Sequence, residues 1–158
     1  MAFAGAEVKS ADVAKGTFVS VGNGVNTPTF TNTDPVAVTP VVSIVFVAPP
    51  SGRVLVTGGF HIRNRTGQVG GVNQGVFGAV MVRKGTSIST GEVIYNPVSE
   101  PNRKVGLQGV IGQVEAGLAF PLGNLVAGDQ YTAYAVGWVT DAAVSGDIYS
   151  RGLDIIDL

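Results

Sequence analysis

From residue 17 onward the chain is a succession of short β-branched and aromatic runs, each closed by glycine, proline or asparagine. Residues 17–21 (TFVSV) alternate and stop at Gly22-Asn23-Gly24, and residues 41–47 (VVSIVFV) stop at Ala48-Pro49-Pro50-Ser51-Gly52. Residues 53–62 (RVLVTGGFHI) predict a long strand, with Gly58-Gly59 marking a bulge or bend. Residues 63–73, rich in Gly, Asn, Gln and Arg, predict a loop, and residues 75–83 another strand ending at Lys84-Gly85-Thr86. Shorter pieces at 92–95 and 104–113, a run at 116–122, a turn at 127–129 and strands at 130–140 and 147–156 complete the chain. Turn signals recurring every ~8–12 residues are the pattern of an all-β, antiparallel sandwich or barrel. Pro28, Pro35 and Pro40 keep the intervening segment extended and argue against helix there.

Two runs predict how the strands are covered. The run 41–47 is nearly continuous in apolar residues, the pattern of a strand covered on both faces. In the strand 130–140, Tyr131, Ala133, Ala135, Gly137 and Val139 share one face, and Thr132, Tyr134, Val136, Trp138 and Thr140 the other. The bulkier face, with Tyr134 and Trp138, is expected to turn into the core rather than to form an exposed sugar-stacking platform.

Helix-compatible chemistry is confined to residues 1–16, where Ser10 can cap one turn over residues 11–15 that Gly16 stops. So short a helix is marginal alone. The expected organisation is therefore residues 1–30 as an extended or one-turn-helix arm with the first short strand, and residues 31–158 as the sandwich. The N-terminus lacks the basic and apolar regions of a signal peptide, and no apolar run approaches the ~20 residues of a membrane span. The expectation is a product made in the cytoplasm.

Composition narrows the function classes. Ten Lys and Arg against eleven Asp and Glu give a net charge of −1, no footprint for nucleic acid or an anionic membrane. No cysteine is present, which removes disulfides, thiolate metal sites and thiol nucleophiles. His61 is the one imidazole. It lies beside Arg63 and Arg65 without a triad or ligand partner in the sequence, so a half-buried or interfacial histidine fits it better than an anion-binding switch. Asn64-Arg65-Thr66 matches a glycosylation sequon and is read as a chance match in a polar loop. Asp141, Asp147, Asp154 and Asp157 fit no calcium-loop spacing. Glu92, Glu100 and Glu115 would need to face one another across a cleft to act as a glycosidase pair. Arg83-Lys84 and Arg103-Lys104 flank turns, and solvated turn charges account for them as well as an acidic partner does. The chain is not expected to be an enzyme or to hold a cofactor or metal.

Several segments carry a family resemblance. Phe46-Val-Ala-Pro-Pro-Ser-Gly-Arg-Val-Leu-Val-Thr-Gly-Gly-Phe60 is an apolar strand running through a tight Pro/Gly turn into a second strand, and Gly78-Ala-Val-Met-Val-Arg-Lys-Gly85 is a strand ending in a basic hairpin. Residues 105–113, residues 118–125 and Ala127-Gly-Asp-Gln-Tyr131 follow as a small/polar strand, a leucine-containing stretch and a Gly-Asp turn into the penultimate strand. In this order, over residues 41–158, the chain resembles the C1q/TNF-like jelly-roll superfamily. It departs from that pattern where Val54 or Leu55 replaces an aromatic residue, and where the last strand carries Asp154 and Asp157. With its short N-terminal arm it looks most like the small jelly-roll proteins of bacteriophage virions.

The resemblance implies a homotrimer with the last strand near the trimer axis. It implies a structural virion protein: a capsid decoration (cement) protein that clamps the major capsid protein with residues 1–30 and loop edges. The alternative is a minor tail or tail-fibre tip protein that binds a host receptor or glycan. Phe3, Val8, Val13 and Phe18 of the arm and first strand, and Tyr149, Leu153 and Ile155 of the last strand, are the expected interface residues. The expected location is the capsid surface of the virion, after synthesis in the host cytoplasm, with no nucleic-acid or membrane partner.

Overall fold

A computed structural model of the chain describes residues 17–21, 29–99 and 103–158. Its strands are β1 (Thr17–Val21), β2 (Val36–Ala37), β3 (Ser43–Val47), β4 (Val54–Asn64), β5 (Gln68–Val69), β6 (Val72–Asn73), β7 (Gly75–Lys84), β8 (Val93–Tyr95), β9 (Val105–Gln108), β10 (Gly112–Leu122), β11 (Gln130–Val139) and β12 (Gly146–Asp157). The one helical element among the described residues is a single 3₁₀ turn at Pro97–Ser99. No helix among them is long and apolar enough to cross a membrane.

Every strand pair is antiparallel, and the chain is an all-β sandwich. Sheet A has the order β1-β12-β4-β10. Sheet B centres on β11 and β7, with β2 and β3 on the free side of β11 and β8 and β9 on the free side of β7. The β5–β6 hairpin stands apart as a third, two-stranded sheet. The pairs nest: β1 with β12, β3 with β11, β4 with β10, β7 with β9. Such nesting is what winding one long antiparallel hairpin into two sheets produces.

Between the sheets, alternate residues of each strand interdigitate. Val54, Val56, Phe60 and Ile62 of β4 and Leu153 and Ile155 of β12 meet Ile44, Phe46, Val80, Val82, Tyr131 and Ala133 of sheet B. Phe46 stacks on Tyr131 with ring centres 5.8 Å apart. Val54, Val56, Ile62, Val76, Val80 and Val82 are fully buried, as the period-2 alternation of their strands requires.

Three features differ from what the sequence predicts. First, Gly58-Gly59 makes no bulge: both ladders of β4 run through it in unbroken register. The irregularity lies instead in β12, between Ile148 and Ser150. Second, the polar segment 63–73 is not all loop, because β4 continues to Asn64 and β5 and β6 close a hairpin over Gly70 and Gly71. Third, β3 pairs with β11 alone, and its alternate residues Val45 and Val47 are 45% and 55% exposed, so it is a one-sided edge strand. The strands covered on both faces are β7 and β11. The short strand expected at residues 17–21 is present and forms a full ladder with β12, and Phe30 bridges to Gly146 and packs on the core. The single helical turn expected within residues 1–16 lies outside the described residues.

Candidate interaction surfaces

Sheet B is apolar on both sides. In the middle of β11 its inward face carries the small Ala133, Ala135 and Gly137, and its outward face the large Tyr134 and Trp138. Ala79 and Met81 of β7 and Tyr134, Val136 and Trp138 of β11 form a second buried cluster, joined by Ala37, Phe77 and Ile88. This reverses the expectation for Tyr134 and Trp138: they are buried, but on the face of β11 away from the sandwich core. The volume of the inward face is set by the opposite sheet. Phe60 fills the space over Gly78 of β7 and Ile148 that over Gly137 of β11, leaving no room there for a larger side chain.

Polar atoms in this outer layer are matched. The Tyr134 hydroxyl donates to Met81 Sδ at 2.8 Å and accepts from Arg83 Nε at 3.0 Å. Phe77 and Trp138 pack with centroids 5.5 Å apart, and Lys104 Nζ lies 4.6 Å above the Phe77 ring and 5.8 Å from that of Trp138. Its neighbour Arg103 caps the Tyr95–Phe120 pair instead, 5.5 and 5.0 Å from the two rings. The Arg103-Lys104 step therefore straddles the sheet edge, one cation on each aromatic pair, rather than being a solvated turn charge. Lys84 pairs with Asp129 at 2.6 Å, which holds the lysine above its ordinary pKa through that hydrogen bond and the adjacent negative charge. The apolar layer reaches solvent at Val45 and Val47 of β3 and at Val93 of β8, which is 39% exposed.

The outward face of sheet A is different. Gly152, Gly59 and Gly117 stand opposite one another on β12, β4 and β10, forming a side-chain-free row across the sheet. A β-carbon at Gly59 or Gly152 would meet nothing within 4 Å, so packing within the chain does not require these glycines. Interior strand glycine costs roughly 0.5–1 kcal/mol relative to alanine and marks places where another backbone comes close. On one side of the row, Thr57 donates to Asp154 at 2.8 Å. On the other, His61 lies 2.9 Å from Gln113 Oε1, 3.6 Å from Glu115 Oε1 and 5.3 Å from the Tyr149 ring, over which Arg63 also sits.

The expected interface residues fall in three groups. Phe3, Val8 and Val13 lie outside the described residues. Phe18 is in β1, opposite Asp154 in the ladder. Of the β12 residues, Leu153 and Ile155 are 1% and 3% exposed within the protomer's own core and have no surface to present to a neighbour. Tyr149 sits at the β12 irregularity, on the outward side with His61 and Arg63.

Other candidates are placed as follows. Asn64 is fully buried with all its side-chain hydrogen bonds made inside the protein, so it is no glycan acceptor in the folded chain. Asp141 accepts from the Ala143 amide, Asp147 is buried against Arg65 and Thr29, and Asp154 holds Thr57. Among the described residues no group of three or more His, Cys, Asp or Glu side chains comes together. Glu92 belongs to the turn beside Lys84 and Glu115 to the outward face of sheet A, while Glu100 lies outside the described residues. An open cleft of about 180 Å³ beside β2 is lined by Thr29, Phe30, Val36, Ala37, Val38 and Thr39, with no ionisable side chain.

Sequence reasoning missed one residue. Arg151 is 6% exposed and points between the sheets, its guanidinium donating to the carbonyls of Ile148, Val38 and Pro40. Burial pushes its pKa down, and Nε has no hydrogen-bond partner among the described residues. The β12 irregularity hid it, because the extra residue after Ile148 shifts the alternation and turns Arg151 inward.

Against known proteins, the chain matches no protein-family model and no curated protein sequence.

Proposed function

We propose that the chain is a structural subunit: a jelly-roll protein that forms a homotrimer and decorates the surface of a bacteriophage head by binding the major capsid protein. The observation that carries this reading is the exposed aliphatic margin of sheet B, where Val45 and Val47 of β3 and Val93 of β8 reach solvent. They continue the buried outward cluster of Ala79, Met81, Tyr134, Val136 and Trp138 to the surface. The glycine row on sheet A and the 13% charge content support the same reading, since protein-facing surface is depleted of charge. In this role the chain performs no reaction and needs no cofactor. It works by burying area, and three linked copies multiply the strength of each contact.

The test is the protein's place and copy number in purified particles of the virus that encodes it. High copy on the shell, in multiples of three, is the expected result. A few copies at the tail would favour a fibre-tip role, and absence from the particle would refute both.

A further inference from the structure

One end of the sandwich is built unlike the other. From Thr66 to Val82 and from Val105 to Val114 the sequence has no charged residue. These stretches hold the β5–β6 hairpin and the turn between β9 and β10, which lie against each other at that end. Their tips are aliphatic and bare: Val72 is 60% exposed, Val110 55% and Ile111 72%. The nearest ion pair is Arg65 with the buried Asp147, and Asp141 caps the adjoining turn. The opposite end, by contrast, carries Arg53, Lys84, Asp129 and Asp157 around its exposed Val126.

The bare tips stand on a rigid base. Asn64, fully buried, accepts from the amides of Thr66 and Gly67 at 3.0 and 2.9 Å and donates to the carbonyls of Gln74 and Leu107 at 3.1 and 3.3 Å. One side chain therefore ties the roots of both hairpins. The Gln74 amide donates to the Gly67 carbonyl and the Gly109 amide to the Gln74 carbonyl, both at 2.9 Å. Thr140 closes the base, donating to Gln74 Oε1 at 2.5 Å and accepting from the Gly75 amide at 2.8 Å. Gly67 and Gly109 turn with φ of 73° and 78°, and the Ile111 side chain leans over Gly67. Exposed aliphatic side chains on a flexible loop would fold back or vary, but here the backbone is fixed before any partner arrives, which lowers the entropy lost on docking.

We propose that this end is a docking surface whose Val110–Ile111 and Val72 knobs seat in apolar pockets of a protein partner with an uncharged contact surface. With the structural-subunit reading above, on which the partner's identity rests, that partner is the shell. A bilayer fits less well: residues 66–76 and 105–113 contain no Trp, Tyr, Phe, Lys or Arg, the residues that hold interfacial segments at a membrane surface. The charge-free rim, with exposed Gln108 and the mutually bonded Gln68 and Asn73 offering neutral hydrogen bonds, suits a desolvated protein contact.

The test uses the full-length chain as wild type, Ile111→Asp, Val110→Asp and, as a control at the other end, Val126→Asp. Each is measured for co-sedimentation with particles lacking the protein, native mass by light scattering, melting temperature, and flotation with vesicles of neutral and anionic phospholipid. Each of the two tip variants is expected to lose particle affinity by about tenfold or more, as loss of a central apolar anchor does. Native mass and melting temperature should stay unchanged, and Val126→Asp should bind as wild type does. Tip variants that bind at full strength while wild type binds would overturn this proposal alone. A fall in native mass would make the tips a contact between copies, and wild-type flotation abolished by Ile111→Asp would make them a membrane contact; either overturns it. Failure of wild type to bind particles would refute the decoration reading and this docking site with it.

Discussion

Replacing Asn64 by alanine removes the hydrogen bonds that join the two hairpins at the charge-free end. Asn64→Ala leaves the Thr66 and Gly67 amides without their acceptor and the Gln74 and Leu107 carbonyls without one donor each. A buried polar group left unpaired costs about 1–3 kcal/mol. The hairpins lie at the end of the sandwich, where water can recover part of this, so a net loss of about 2–5 kcal/mol is expected. Against a total stability of roughly 5–15 kcal/mol that is a large fraction. At about 2–4 °C per kcal/mol for a domain this size, it corresponds to a fall in melting temperature of about 5–15 °C. Asn64→Asp separates the two halves of the network. It keeps the acceptor for Thr66 and Gly67 but turns a carboxylate toward two carbonyls in a fully buried site, so at neutral pH it should destabilise at least as much as alanine. Urea denaturation of both variants, with hydrogen exchange at Gly67 and Gly109, gives the numbers. A loss below about 1 kcal/mol in both, with those amides still protected, would refute the role assigned to Asn64.

The two classes of strand glycine should respond oppositely to added volume. A β-carbon at Gly78 would lie 2.9 Å from Phe60 and 3.1 Å from Ile62, so Gly78→Val should destabilise by about 1–3 kcal/mol through overpacking. A β-carbon at Gly59 meets nothing within 4 Å, so Gly59→Val should leave melting unchanged or raised, while weakening self-association; equal destabilisation of both in thermal melts would contradict this. Lys84, raised by Asp129, contributes stability that is present below the ordinary lysine pKa and is lost as pH rises through the raised folded value. The wild-type urea midpoint should therefore fall across the alkaline range, and Lys84→Gln should flatten that fall. Val45→Asp with Val47→Asp should leave the sandwich folded by circular dichroism and lower the native mass, if the outward layer of sheet B is where copies meet.

Much of the fold is legible in the sequence because turn chemistry is local. The Pro49-Pro50-Ser51-Gly52 turn, the Gly85 turn and the Gly128-Asp129 turn all lie between the strands they were expected to separate. The two faces of β11 are likewise assigned correctly by alternation, but not which of them points inward. Bulk is a poor guide to that choice when the opposing sheet contributes Phe60 and Ile148. Reading residues 41–47 as covered on both sides fails for a related reason: a β-branched run reports apolar character, not the number of neighbouring layers. Asn64 looked like part of a polar loop because its partners, Gln74 and Leu107, are brought to it only by the tertiary pairing of β4, β7 and β9. Arg151 was hidden by an irregularity with no glycine or proline to announce it. Leu153 and Ile155, expected at the interface because the resemblance puts the last strand near a trimer axis, lie in the protomer's own core, where an apolar residue belongs as readily as at a contact.

The claim that everything else depends on is that the chain is a subunit rather than a self-sufficient domain. Its native mass, measured by sedimentation equilibrium or light scattering at micromolar concentration, tests that directly. A single species of three times the 16.1 kDa chain is the predicted result, and a monodisperse 16.1 kDa monomer would contradict it.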